Sequence, residues 1–302
     1  MQIRYFKNTQ IDKTRWNEII DKAPNGLIYA YSWYLDELAE HWDALIMGDY
    51  EMIMPLPWTC KYGVYCIYMP FFVQRLGIYS TKPINSETYQ RFLNAIPAKF
   101  RLIDLCLEMP ESIENHKNIK IKTRTNYVLE MNRPYDSVYE GYRLDAKKKL
   151  RTNTAFFYKE GVEIKKVIDD YRKYIGPTIP VVKEQHYSRL EKSLLEAEKR
   201  NHLISAQVTD DEGIVLATGI FLVDSRRAYY IMGSQTIEGR EKHATHFLLD
   251  DFFKMHCQQI KIFDFEGSDI PGVAEFFKKW GSQPEYYSQI RWARFPINLL
   301  KR

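Results

Sequence analysis

Cysteine is scarce: Cys60, Cys66, Cys106 and Cys257 are the four in 302 residues, with no C-x-x-C pair among them. That spacing points away from a disulfide framework and toward core thiols. Long apolar runs are also missing. The longest, Ile214 to Val223, is interrupted by Thr218 and Gly219 and is too short to span a bilayer. The opening M-Q-I-R-Y-F-K-N-T-Q lacks the apolar core of a signal peptide, so the expected location is cytoplasmic. Charge imbalance is small: 43 Lys and Arg against 39 Asp and Glu leave +4, enough for an anionic substrate but short of a nucleic-acid footprint, so no DNA partner is expected. No Gly/Ser-rich or Pro-rich linker occurs, and no repeat is visible at residue level.

What is present describes a globular chain, 45% apolar and 27% charged, long enough for two domains of ordinary size. Aromatics reach 15%, with 22 tyrosines the largest part. Two readings fit them: an aromatic binding surface, or strand tyrosines with the hydroxyl at a sheet edge. The most informative stretch is Ile260 to Gly281, I-K-I-F-D-F-E-G-S-D-I-P-G-V-A-E-F-F-K-K-W-G. An apolar strand, 260–265, leads through a polar turn into a helix with Ser268 or Asp269 as N-cap, Pro271 in the first turn and Gly281 as the stop. Val273, Phe276, Phe277 and Trp280 then share one helical face. Strand-to-helix junctions at a sheet edge commonly hold sites.

Along the chain, helices are expected at 11–22 and 32–41, followed by a hairpin across Gly48-Asp49 whose second strand Pro55 and Pro57 should end. A strand at 64–69, a helix at 86–96 and a strand at 102–107 complete the first unit. A strand at 122–131 follows, then one helix from Pro134 to about Arg151, and a helix at 184–200. The later half offers strands at 202–209, 214–223 and 228–233, a helix from about 241 to 258, and the final strand and helix. Hairpin, strand, helix, strand thus occurs twice, which suggests two packed domains, 1–133 and 134–302, divided near Asn132 to Ser137.

Four features suggest chemistry. Strand alternation places Ile262, Asp264 and Glu266 on one face, so two acids at a strand end can serve as general base or bind an amine; alternatively, Glu266 and Asp269 cap the next helix. The loop G-S-Q-T-I-E-G-R-E-K-H-A-T-H-F, entering a helix, can cradle a pyrophosphate, with Arg240 supplying charge. Arg143, Lys147 and Arg151, in a basic run with Lys148 and Lys149, form either a solvated helix face or a phosphate site, opposite Tyr139, Tyr142, Ala146 and Leu150. His243, His246 and Asp250, with His256 beyond, have metal-compatible helical spacing but no H-E-x-x-H motif, and no metal is expected; G-x-S-x-G is likewise absent.

With those residues in view, the chain resembles the FemAB/FemX-type acyltransferases, in particular the FemAB-like GNAT proteins of Bacteroidetes. The matching pieces are D-A-L-I-M-G-D-Y-E-M-I-M-P-L-P-W, Y-M-P-F-F-V-Q-R-L-G-I-Y-S, T-N-Y-V-L-E-M-N, S-Q-T-I-E-G-R-E-K-H-A-T-H-F-L-L-D and F-D-F-E-G-S-D-I-P-G-V-A-E-F-F-K-K-W-G. The resemblance implies an α/β (α+β) fold of two tandem GNAT-like domains with mixed, largely antiparallel sheets flanked by helices. It also implies transfer of an acyl or aminoacyl group to an amine, from acyl-CoA or aminoacyl-tRNA, with no permanently bound cofactor. FemX-like members act on the peptide of a cell-wall precursor. Carried onto this chain, the catalytic candidates are Glu266, Asp264 and Ser268. Gly233, Ser234, Gly239 and Arg240 would hold the donor, and Arg143, Lys147, Arg151 and Tyr230 the substrate. The usual pyrophosphate pattern, Q/R-x-x-G-x-G/A, is not kept: His243 and Thr245 stand where small residues are expected. The helical arm of some Fem proteins is absent too, since the 184–200 helix is too short. A catalytically silent binding module is the third reading.

Overall fold

The computed structural model describes residues 1–108, 119–151, 155–267 and 269–294. In chain order the elements are β1 (Ile3–Phe6), α1 (Lys13–Lys22), α2 (Ser32–Leu38), β2 (His41–Met47), β3 (Met52–Lys61), β4 (Val64–Ile67), β5 (Tyr79–Ser80), α3 (Ser86–Ala95) and β6 (Phe100–Leu107). Then come β7 (Lys120–Glu130), α4 (Tyr135–Glu140), α5 (Leu144–Arg151), β8 (Phe157–Glu160), α6 (Ile164–Tyr174), α7 (Glu184–Lys199), β9 (Leu203–Thr209), β10 (Val215–Val223) and β11 (Arg227–Gln235). The last are α8 (Ile237–Glu241), α9 (Ala244–His256), β12 (Ile262–Asp264), α10 (Pro271–Lys278) and β13 (Gln283–Ala293). Contacts divide the chain into two compact units, residues 1–124 with 286–302, and residues 125–285.

Each unit is a mixed, largely antiparallel sheet flanked by helices, and the two follow one plan. In the first the strand order is β1-β2-β3-β4-β6-β13, with β5 beside β3. In the second it is β8-β9-β10-β11-β12-β7. Each contains one parallel pair, β4 with β6 and β11 with β12. Parallel neighbours need a crossover, supplied by α3 in one unit and by α8 and α9 in the other. The closing strand lies antiparallel in both, Ser288–Ala293 on β6 and Val128–Glu130 on β12. The repeated element order expected from sequence is therefore present.

Three local expectations are corrected. The second helix stops at Leu38 and His41 already pairs in β2. Pro55 and Pro57 do not end β3, which continues to Lys61. The Pro57 carbonyl accepts from Tyr68 N–H on the β4 side, so its nitrogen faces that edge and no bond to β2 is lost. The single helix expected from Pro134 to Arg151 is two, α4 and α5, interrupted at Gly141 to Arg143. The cause lies in the loop after α10: the Gly281 Cα sits so close to the Gly141 backbone that a Cβ there would fall 2.7 Å from the Gly141 carbonyl oxygen. Finally, β8, α6 and β13 occupy stretches with no earlier assignment.

The second unit's core is aromatic. Phe221 stacks on Phe252 at 4.0 Å, Phe253 meets Phe263 edge-on at 4.8 Å, and Phe265 stacks on Phe277 at 4.8 Å. Fully burying each such ring contributes roughly 1.5–3 kcal/mol. This packing anchors β12 between β11 and β7, and β12 carries the residues that follow.

Candidate functional site

The pairing of β11 with β12 is short. It covers Arg227–Ile262, Ala228–Phe263 and Tyr229–Asp264 and stops there. Beyond it β11 continues to Gln235 on β10 alone, with a bulge that leaves Ile231 unmatched between Tyr230 and Met232. A bulge increases local twist and re-aims the strand, which suits the parting of β11 from β12. The chain beyond β12 turns toward β7, where Phe265 N–H donates to the Tyr127 carbonyl at 3.0 Å. Backbone on the β12 side of residues 230–235 is thereby left without a ladder partner among the described strands.

Glu266 sits where the two strands part. It does not continue the alternation: β12 ends at Asp264, and Glu266 takes a left-handed conformation, φ 65°, followed by Gly267 at φ 64°. The expected shared face of Asp264 and Glu266 is thereby overturned. Asp264 Oδ1 instead accepts the Glu266 N–H at 2.8 Å. Although the residue is only half-buried, Glu266 Oε1 is buried and finds no hydrogen-bond donor. Burial pushes its carboxyl well above the usual carboxylate range.

Asp264 is a buried structural acid rather than an amine-facing base. It is 0% exposed, and its Oδ2 takes the Arg227 guanidinium at 2.6 Å. Arg227 also grips Glu285 with both terminal nitrogens, each at 2.9 Å, and Asn126 Nδ2 donates to Glu285 at 3.0 Å. Burial opposes the charge on Arg227, but Glu285 and Asp264 together raise its pKa. The strand start is fixed as well: Asp224 Oδ1 accepts from the N–H groups of Arg226 and Arg227, both at 2.8 Å. Arg227, Glu285 and Asn126 were not legible as a group, being separated by tens of residues in sequence.

The glycines of the following loop are accounted for by packing, not by an anion. A Cβ on Gly233 would fall 1.6 Å from the Tyr230 hydroxyl, and one on Gly239 would fall 2.1 Å from the Leu216 carbonyl. Tyr230 stacks on Phe221 at 5.3 Å, so its ring belongs to the core. Ser234 is buried, its hydroxyl 2.9 Å from that of Thr218. Thr236 caps α8 by accepting the Gly239 N–H at 2.9 Å, and Arg240 is exposed. Ser268 lies outside the described residues.

The basic face of α5 is solvated in part and engaged in part. Arg143 pairs with Glu275 at 3.0 Å on the surface, an arrangement worth little. Lys147 donates to the Glu140 carbonyl at 2.9 Å over the Tyr139 ring, and Arg151 is exposed. Lys149 faces a different group, where burial first and Lys279 second lower its pKa. Burial first, and the same two lysines after it, disfavour charge on His243 and His246. His246 is buried against Phe276 and Trp280 with Nε2 unbonded, while Asp250 accepts from Tyr135 at 2.7 Å and pairs with Lys254 at 3.1 Å. His256 meets Glu160 at 2.7 Å. No cluster of three or more potential metal ligands occurs among the described residues. Nor, among them, is any helix long and apolar enough to cross a membrane. In the first unit a cavity of about 370 Å³ is bordered by Asp36, His41, Asp43 and Trp58, but Asp36 is already paired with Lys13 and Asp43 with Tyr5.

Among solved structures the chain is similar to FemX, at 11% identity with a TM-score of 0.73 and 100% of both chains covered. It is also similar to a conserved protein of unknown function from Bacteroides thetaiotaomicron, at 10% identity and a TM-score of 0.63, covering 96% of this chain and 99% of that one. A third is the C-terminal domain of a putative lysylphosphatidylglycerol synthetase from Agrobacterium fabrum, at 9% identity, a TM-score of 0.55, and coverage of 97% and 94%. No family model and no curated protein matches the sequence. The fold is therefore FemX-like.

Proposed function

We propose that the chain transfers an aminoacyl group to an amine, with aminoacyl-tRNA as donor and a peptide amine of a cell-wall precursor as acceptor. The observation that carries this reading is Glu266, whose Oε1 is buried and unbonded where β11 and β12 part in a FemX-like fold. In the reaction the amine nitrogen attacks the ester carbonyl, a C–N bond forms, and the ester C–O bond breaks. Glu266 takes the proton from the amine and returns it to the departing ribose oxygen. A carboxyl whose proton affinity is raised by burial suits both transfers. Backbone N–H groups of β11 beyond Tyr229 are the donors for the developing oxyanion, and the bulge at Ile231 sets their direction.

Acyl-CoA is the second donor. It is favoured by the start of α9, where His243 lies within the field of Lys149 and Lys279, a setting suited to phosphate groups. In this reading Lys149 and Lys279 take the place first given to Arg143, Lys147, Arg151 and Arg240.

Thermal unfolding and calorimetric titration with acetyl-CoA, longer acyl-CoA and aminoacyl-tRNA separate the donors. A ligand at a hundred times its dissociation constant adds about 2.7 kcal/mol. Stabilisation by neither donor class would leave a binding module without a donor site. With the donor identified, Glu266→Gln should lower the transfer rate about 10²- to 10⁴-fold while donor binding stays unchanged. Full activity in that variant would remove Glu266 from the chemistry.

A further inference from the structure

A base must be held as well as activated, and a left-handed non-glycine residue is not held by its own backbone preferences. At Glu266 and Gly267 two successive left-handed residues form the turn that leaves β12. A chain of bonds converges on that turn from the core. Asn126, 0% exposed, donates to Glu285; Glu285 takes both terminal nitrogens of Arg227; and Arg227 Nη1 reaches Asp264 Oδ2 at 2.6 Å. The other Asp264 oxygen accepts the Glu266 N–H at 2.8 Å. Thus one carboxylate joins a buried guanidinium to the backbone of the proposed base. A guanidinium held by a second carboxylate fixes its partner in position as well as in charge, because the fork of donors is rigid.

We propose that Arg227 and Asp264 are positioning residues: Arg227, gripped by Glu285, holds Asp264 so that Asp264 fixes the left-handed turn at Glu266 and keeps the Glu266 carboxyl buried at the end of β12. The inference rests on the assignment of Glu266 to the transfer chemistry, yet the positioning itself is a statement about structure and is read without turnover. Only burial raises the proton affinity of Glu266, with no neighbouring charge contributing, so its titration reports whether the turn holds.

The test is the Glu266 titration in the full chain, followed by side-chain carboxyl NMR with Glu266→Gln to identify the signal. Asp264→Asn offers one oxygen to two donors, Arg227 Nη1 and the Glu266 N–H, so it should lower the carboxyl part of the way. Asp264→Ala removes that oxygen, and the carboxyl should fall back toward the 4.5 of a solvated glutamate. If Asp264→Ala does not fold, Gly267→Val strains the same turn with the buried charges intact, and the same fall is expected. An unchanged titration in the folded Ala variant, or in Gly267→Val where Ala does not fold, would overturn the proposal. Once a donor is known, the pH–rate profile of Asp264→Ala should shift to lower pH than that of the parent. A lowered Glu266 titration together with no transfer from any donor would leave the positioning intact and sink the proposed function instead.

Discussion

His246 Nε2 and Glu266 Oε1 are both buried without a hydrogen-bond partner, and the two residues' effects on stability have opposite signs. Burial, reinforced by Lys149, His243 and Lys279 and opposed by Asp145, lowers the His246 pKa to about 3 from an ordinary 6.5. Below 6.5 the unfolded chain therefore binds a proton that the native state refuses. Stability is complete above that value and is lost as pH falls toward 3, by at most about 4–5 kcal/mol. His246→Phe, which can pack against Phe276 and Trp280, should flatten the urea midpoint across that interval; parallel profiles for parent and variant would refute it. Glu266 acts the other way. Its raised proton affinity means the native state binds the extra proton, so stability declines as pH rises above 4.5, and Glu266→Gln should lessen that decline.

Among the elements, the polar interruptions are where tertiary contacts overrule local preference. Nothing between Pro134 and Arg151 forbids one helix except Gly141, and Gly141 is tolerated inside many helices at a cost of about 1 kcal/mol. The interruption follows from the approach of Gly281, at φ 76°, to the Gly141 carbonyl. Arg143 N–H then donates to the Lys279 carbonyl at 2.9 Å, which ties the new helix start to the end of α10. Gly281→Ala meets both the left-handed backbone and the 2.7 Å contact, so it should cost at least about 1–3 kcal/mol in chemical unfolding. A neutral result would show that the two turns separate easily. In β3, by contrast, proline is compatible with pairing because the nitrogens of Pro55 and Pro57 face a stretch between the partners β5 and β4.

For the whole molecule, the first sheet is closed by a strand that is not contiguous with the rest of its unit, whereas the strand closing the second sheet begins that unit. Ser288 to Ala293 complete the first sheet on β6, whereas β7, which follows β6 in the chain, lies in part in the second. A fragment ending at Arg124 therefore lacks the strand that covers β6 and presents an open edge. It should associate on size-exclusion chromatography and melt without cooperativity, and residues 283–294 joined to it through a flexible linker should restore a monomer. Cooperative melting of the bare fragment as a monomer would show that β13 is dispensable to that unit.

The sequence by itself determined the periodic elements: the hairpins, the helices expected at 11–22, 86–96 and 184–200 and found at Lys13–Lys22, Ser86–Ala95 and Glu184–Lys199, the strand-turn-helix from Ile260, and their recurrence in the same order. These are legible because amphipathic spacing and capping residues are local properties. Among the candidate residues, an acid at the strand end was legible at Glu266, whereas the ion pair that buries Asp264 and the packing against the glycines at 233 and 239 were not. Only the tertiary structure decided those points. A buried acid and a catalytic acid share the same letter until Arg227 and Glu285, 37 and 21 residues away, are seen to meet beside it. Likewise, a glycine required by the Leu216 carbonyl cannot be told from one required by a ligand until the neighbouring strand is in place. Burial, which sets both the carboxyl of Glu266 and the imidazole of His246, comes from residues brought together by the fold and has no local signature in the chain.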